Sequence, residues 1–235
     1  MRAIAIICLL GSNAHAGRTV YGWLSATDTV PAESLELQTS LYEHDNLGRY
    51  HERSSTLALI PDLGLTDRIE LAIPIELAYV TADDVAPGMS FSHYGAELRY
   101  RALPRGNALS PLLRVGIARD AIVRTQVRTE LAAAVSYTHD RLQVQADAGF
   151  VVDFNVGHFH REFRPGIGAS VLVSGELRLG GELHAELSFD ATTQSWAVIG
   201  PNVAWATKRY WLAAALDVGI KNVTAAPRLN LGMDW

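Results

Sequence analysis

Glu182-x-His184-x-Glu186 places three titratable side chains at two-residue spacing, and four guanidiniums recur at Arg99, Arg101, Arg114 and Arg128. On an extended chain alternate residues share a face. The first group could therefore grip a divalent ion or form a proton-sensitive constriction. The second could form a basic wall that attracts anions. His158-Phe159-His160 repeats the spacing, but with no third ligand at hand. The simpler reading is a solvated polar row for the first cluster and a solvated exterior loop for His158 and His160, so no residue is assigned to a metal or a cofactor.

Nucleophilic chemistry needs a base within hydrogen-bond reach of a hydroxyl or thiol, and a third group to orient that base. His93 with Ser90 or Ser92 comes nearest. Alternation turns His93 toward the charged face, whereas a lipid-modifying enzyme needs its serine and histidine on the apolar one. No catalytic residue is assigned, and the chain reads as a non-enzyme.

The elements that carry these side chains are strands. Ile69, Leu71, Ile73, Ile75, Leu77 and Tyr79 alternate with Glu70, Ala72, Pro74, Glu76 and Ala78. Pro74 lacks a ladder donor and predicts a local bulge. Similar alternation runs through 142–153, 177–189, 212–220 and the terminal 228–235. Weaker runs lie near 33–43, 50–61, 91–103, 111–120, 123–138, 164–174 and 195–206. That makes about twelve strands, each long enough for the roughly 9–11 tilted residues that cross a bilayer. A strand that runs to the last residue must be paired, because free ends fray. The expected fold is a closed, all-β, antiparallel up-and-down transmembrane barrel.

His139-Asp140, Gly175-Glu176 and Thr207-Lys208-Arg209 read as tight turns. Links near 44–49, 81–90, 154–163 and 190–194 read as longer loops, which puts the short turns on the periplasmic side. Parity then lines the lumen with Glu70, Glu97, Arg99, Arg114, Arg128, Glu130, Asp147, Arg178, Glu182, His184, Glu186, Asp217 and Arg228. On the apolar face, Tyr100, Tyr137, Trp205, Tyr210 and Trp235 form a girdle at the short-turn end. Tyr79, Phe150 and Phe189 form one at the other end. Trp211 breaks the pattern, since its parity points it inward.

Ahead of the barrel (33–235), residues 1–16 read as a signal peptide. Arg2 gives the positive start, Ala3 to Leu10 the apolar stretch, and Ala14-His15-Ala16 the cleavage site. Cys8, the only cysteine, lies within it, so the mature chain has no disulfide. Gly17 to Ala32 read as a periplasmic segment, too short for a plug, that enters the mouth or simply links. A net charge of −5 argues against nucleic acid as a partner. Hydrophobic residues make up 49%, yet mean hydropathy is near zero, as half-greasy strands require.

Leu229, Leu231, Met233 and Trp235 fill the apolar positions of a terminal strand that resembles the C-terminal signal of bacterial outer-membrane proteins. Gly64-Leu65-Thr66-Asp67-Arg68-Ile69-Glu70-Leu71 resembles a hairpin of transporter-like barrels grouped with the outer-membrane family of the meta-cleavage phenol-degradation pathway. That resemblance implies a Gram-negative outer-membrane protein that passes small, often apolar molecules. It further implies the outer-membrane assembly machinery, lipid and lipopolysaccharide as partners, and no cofactor. Two readings of the lumen stand. A basic wall of Arg99, Arg114 and Arg128 faces an acidic one across a pore, or the charges pair and fill the interior. A non-transporting structural or surface-interaction barrel and a lipid-modifying enzyme are the alternatives to a passive channel.

Overall fold

The computed structural model describes residues 19–47, 52–82, 85–190 and 193–235. The proposed leader, with Cys8 and its cleavage site, lies outside them. The strand segments are β1 (Leu35–Leu47), β2 (Glu52–Thr66), β3 (Ile69–Ala72), β4 (Ile75–Ala82), β5 (Val85–Arg101), β6 (Leu109–Asp120) and β7 (Val127–His139). They continue as β8 (Leu142–Asn155), β9 (His158–Ser174), β10 (Leu177–Ser188), β11 (Trp196–Ala206), β12 (Tyr210–Ala215), β13 (Val218–Lys221) and β14 (Arg228–Asp234). β3 and β4 are halves of one wall strand, since both lie between β2 and β5. β12 and β13 likewise share β11 as a neighbour. Fourteen segments therefore make twelve wall strands.

β14 closes the wall on β1, in register from Glu36↔Asp234 to Tyr42↔Arg228. Closure leaves no edge to pair elsewhere. The terminal alternation is thus tied on both sides, since β14 also pairs β12. At Pro74 the wall strand breaks as its missing N–H requires, and the ladder resumes through Gly95 N–H to the Pro74 carbonyl at 3.0 Å.

The two faces differ in solvent. Leu113, Val115, Ile117, Leu131, Ile167 and Leu179 stand exposed on the outside. So do all eight girdle aromatics, Tyr79, Tyr100, Tyr137, Phe150, Phe189, Trp205, Tyr210 and Trp235. Phe91, Phe154 and Phe159 add to the second girdle. Inside lie Glu70, Arg99, Arg178, Glu182, His184 and Asp217, all buried. A one-residue register slip would exchange the faces. Each arginine turned to mid-bilayer would cost roughly 2–4 kcal/mol.

Two expectations about the connections need correction. The loops expected at 81–90 and 154–163 are mostly strand. β8 runs into β9 through Val156 and Gly157, with Gly157 at φ +79°, and only residues 83–84 separate β4 from β5. At the opposite end, turns at 140–141, 175–176 and 207–209 are short as read, but 102–108 makes a seven-residue loop. The β8–β9 hairpin end nevertheless keeps six-residue links at 121–126 and 222–227.

The larger correction concerns the N-terminal segment. Thr19 to Val30 run inside the barrel, with Val20, Tyr21, Leu24, Thr27, Thr29 and Val30 all buried. The segment rises to Trp23, then returns along the wall to Pro31, whose carbonyl packs on Gly64. A plug needs no domain of its own when a few residues can bond to the wall. Val20, Tyr21 and Leu24 pack with Ala204 and Ala213 in one cluster.

Candidate functional site

The lumen is built by two sets of groups: charges paired within the wall, and carboxylates and amides that hold the inner segment. In the first set, Arg99 Nη1 lies 2.8 Å from Glu70 and 3.5 Å from Asp62, and its Nε bonds Glu97. Arg114 bonds Glu130 and faces Glu97 at 3.6 Å. Arg128 grips both oxygens of Asp153 at 2.8 and 3.0 Å. Arg164 spans Glu162 at 2.7 Å and Glu186 at 3.3 Å. The basic wall of Arg99, Arg114 and Arg128 is therefore not a bare cationic surface, because neighbouring strands supply a carboxylate to each. Unpaired interior charges cost far more than paired ones, which favours this interleaving over two opposed walls.

In the second set, Glu182 accepts the Gly22 and Trp23 amides at 2.8 and 3.1 Å. Asp147 accepts the Ser25 amide at 2.7 Å, and Glu70 that of Val30 at 2.6 Å. Amide side chains hold the carbonyls. Asn202 reaches Val20, Asn230 reaches Gly22, and Gln145 reaches Ser25, at 2.9, 2.9 and 2.6 Å. An irregular segment inside a barrel has no ladder, so its backbone groups need such partners.

Glycines on the inward face make room for it. A Cβ on Gly168 would meet the Tyr21 ring at 2.4 Å, and one on Gly166 would meet Leu24 at 3.2 Å. The space beside Glu182-x-His184-x-Glu186 is thus filled by the chain's own aromatic and aliphatic groups. His184 stacks on Trp23 with ring centroids 5.2 Å apart and planes 17° from parallel, and Glu186 is taken by Arg164 and by the Trp196 indole N–H at 3.2 Å. Among the described residues no cluster of three metal-binding groups forms.

The remaining sequence-predicted residues fall as follows. Asp217 is buried where β12 gives way to β13, and neither of its carboxylate oxygens has a hydrogen-bond partner among the described residues. Arg178 reaches the Arg141 carbonyl at 3.4 Å. Arg228 bonds Ser40 and Asn230 through Nε at 3.2 and 3.3 Å. Its guanidinium carbon lies 4.9 Å from the ring centres of both Trp23 and Tyr42. His93 lies between Glu76 and Asp120 at 3.3 and 3.7 Å, and the Ser92 hydroxyl donates to the Glu76 carbonyl instead of His93. His160 is held by Glu162 and Asp190 at 2.7 and 2.9 Å. Trp211 points inward as its parity requires and donates to Glu36 at 3.0 Å.

The inner segment lies between two large chambers of the lumen. One, of about 560 Å³, lies toward the β8–β9 hairpin and is bounded by Trp23, Tyr42, His44, Arg128, Glu186 and Arg228. The other, of about 850 Å³, lies toward the short turns and is bounded by Thr27, Arg101, Arg105, Arg178, Lys208 and Trp211. Tyr21 and Leu24, at 0% and 3% exposure, lie where the bore would otherwise be continuous.

The chain's fold is that of solved outer-membrane barrels. The COG4313 outer membrane channel from Pseudomonas putida F1 superposes with a TM-score of 0.59 at 15% identity, over 88% of this chain and 97% of that one. The NanC porin gives 0.55 at 7% identity, over 85% and 98%. The translocator domain of the autotransporter NalP from Neisseria meningitidis gives 0.54 at 12% identity, over 87% and 89%. No protein-family model matches the sequence, and neither does any curated protein. At such identities the likeness concerns the barrel, and function has to be argued from the lumen.

Proposed function

We propose that the protein is an outer-membrane channel for small solutes in a Gram-negative bacterium, with the short turns in the periplasm and the β8–β9 hairpin outside. The observation that carries this reading is the lumen itself: two partly open chambers, lined by charged and apolar groups alike and separated by a short segment that is bonded to the wall. Such a segment sets the bore, and solutes diffuse past it or while it is displaced. No energy-coupling element is needed. The channel and porin among the structural neighbours support this reading, as does the Gly64–Leu71 hairpin, which points to transporter-like barrels. Lipid and lipopolysaccharide would meet the apolar face, and the assembly machinery would read the terminal strand.

A barrel that does not transport is the second reading, favoured by the paired wall charges and the seated segment. Conductance of the purified protein in a planar bilayer separates the two. The channel reading expects a steady or flickering ion-selective current. Silence across salts and voltages, both in the wild type and in a variant with the inner segment loosened, would favour the scaffold.

A further inference from the structure

Arg228 differs from the other arginines of the hairpin-end chamber. Arg99, Arg114, Arg128 and Arg164 each pair with a carboxylate, whereas Arg228 has none within ion-pair distance among the described residues. Its Nε is fixed by Ser40 and Asn230, and its flat face lies against Trp23 and Tyr42. Those contacts orient the guanidinium and leave the two Nη groups without an acceptor among the described residues. A fixed pair of parallel N–H donors matches a carboxylate in bidentate geometry.

The register row beside it is uncharged, and Glu76, two residues before Ala78 on β4, faces His93 at 3.3 Å. Register carries the Arg228 row through Tyr42 on β1 and Thr56 on β2 to Ala78 on β4. The row nearer the rim continues as His44, Ser54 and Val80. Thr56, Ala78, Ser54 and Val80 form a bay there, while the Arg114, Arg128 and Arg164 pairs lie on β6–β10. Seven carboxylates and five guanidiniums line the whole chamber, so a polyanion would meet net repulsion as it spread away from Arg228.

We propose that this chamber binds a compact apolar monocarboxylate, its carboxylate on the Arg228 Nη groups and its body in the bay of Tyr42, Thr56, Ala78 and Val80. The inference deepens the channel reading by naming a solute class, but the binding itself needs only the chamber. A volume near 560 Å³ falls within the range of small-molecule sites.

Isothermal titration of the full protein in detergent tests it, with cyclohexanecarboxylate as probe and its neutral carboxamide as the isosteric control. The acid should bind at least tenfold more tightly than the amide. Arg228→Gln should abolish that preference, and Ala78→Phe, which fills the bay but keeps the charge, should weaken the acid at least tenfold. Heat-modifiable migration on gels establishes that each variant is folded; should Arg228→Gln misfold, Ala78→Phe decides. Equal affinity for acid and amide, or unchanged binding by a folded variant, would overturn the proposal. Binding without ionic current would leave the site and remove the channel, and current without binding would do the reverse.

Discussion

Replacing Glu182 with alanine should loosen the inner segment without breaking the wall. Glu182 is 3% exposed and accepts two backbone amides, from Gly22 and Trp23. A hydrogen bond to a charged group contributes roughly 1.5–3 kcal/mol. Two bonds to one carboxylate act as a unit, so the loss is taken as about 3 kcal/mol in total, the lower end of their sum. At about 1.4 kcal/mol per factor of ten, the segment should leave its seat roughly 100-fold more often. Asp147 and Glu70 still hold Ser25 and Val30, so the effect is frequent displacement and not permanent loss. Single-channel recording should show openings that are rare in the wild type and far more frequent in Glu182→Ala. Barrel integrity, judged by heat-modifiable migration, should be unchanged, because Glu182 contributes no ladder bond through its side chain. Unchanged opening frequency in a folded variant would refute the idea that these two bonds hold the segment across the bore.

Gly168→Val should act in the same direction, since its Cβ would fall 2.4 Å from the Tyr21 ring; conductance no higher than that of the wild type would contradict the packing. Arg114→Ser with Arg128→Ser removes two cations but leaves Glu130 and Asp153 in the lumen, so the reversal potential in a salt gradient should move toward cation selectivity, and no shift would count against their facing the bore. Asp190, in the loop after β10, accepts the Arg161 amide at 2.7 Å and sits beside His160. The backbone bond first, and then the His160 charge, hold its carboxyl below the usual value of 3.8. A lowered folded-state value means that the clamp is fully present above the ordinary range and is lost only as pH falls through the lowered one. The Asp190 side-chain resonance should therefore titrate below 3.8 by NMR, and a midpoint above that would exclude the clamp.

The barrel was legible in the sequence because a single physical rule, alternation of two solvents across a sheet, repeats in every strand. Ile69 to Tyr79 and the terminal Arg228 to Trp235 announce their faces residue by residue, and Pro74 marks its own break. Even Trp211, which violates the girdle pattern, is explained by its hydrogen bond to Glu36 inside the barrel. The inner segment was hidden because it has no period. Thr19 to Val30 could be read as a linker until one asks why a linker would expose Val20, Tyr21, Trp23 and Leu24 to water. The inward glycines were the second signal. A missing Cβ on an inner wall, as at Gly166 and Gly168, marks close approach by another piece of chain. Charge pairing lay beyond parity alone. Alternation says that Arg99 and Arg114 point inward, but only the strand register brings Glu70 and Glu130 within reach of them.

A channel of this kind requires the leucine-bearing side of the sheet to meet hydrocarbon while the charged side encloses the lumen. Leu131 and Ala132 are adjacent on β7, and the structure turns them to opposite faces, 60% and 6% exposed. With Cys8 removed with the leader or replaced, Leu131→Cys and Ala132→Cys can each carry a spin label in the protein reconstituted into liposomes. Power-saturation EPR should find the label at 131 open to oxygen and closed to a water-soluble nickel chelate, and the label at 132 shielded from the oxygen-rich bilayer. A label at 131 that the chelate reaches freely, with 132 in the hydrocarbon, would reverse the faces and contradict the lumen, its chambers and its plug together.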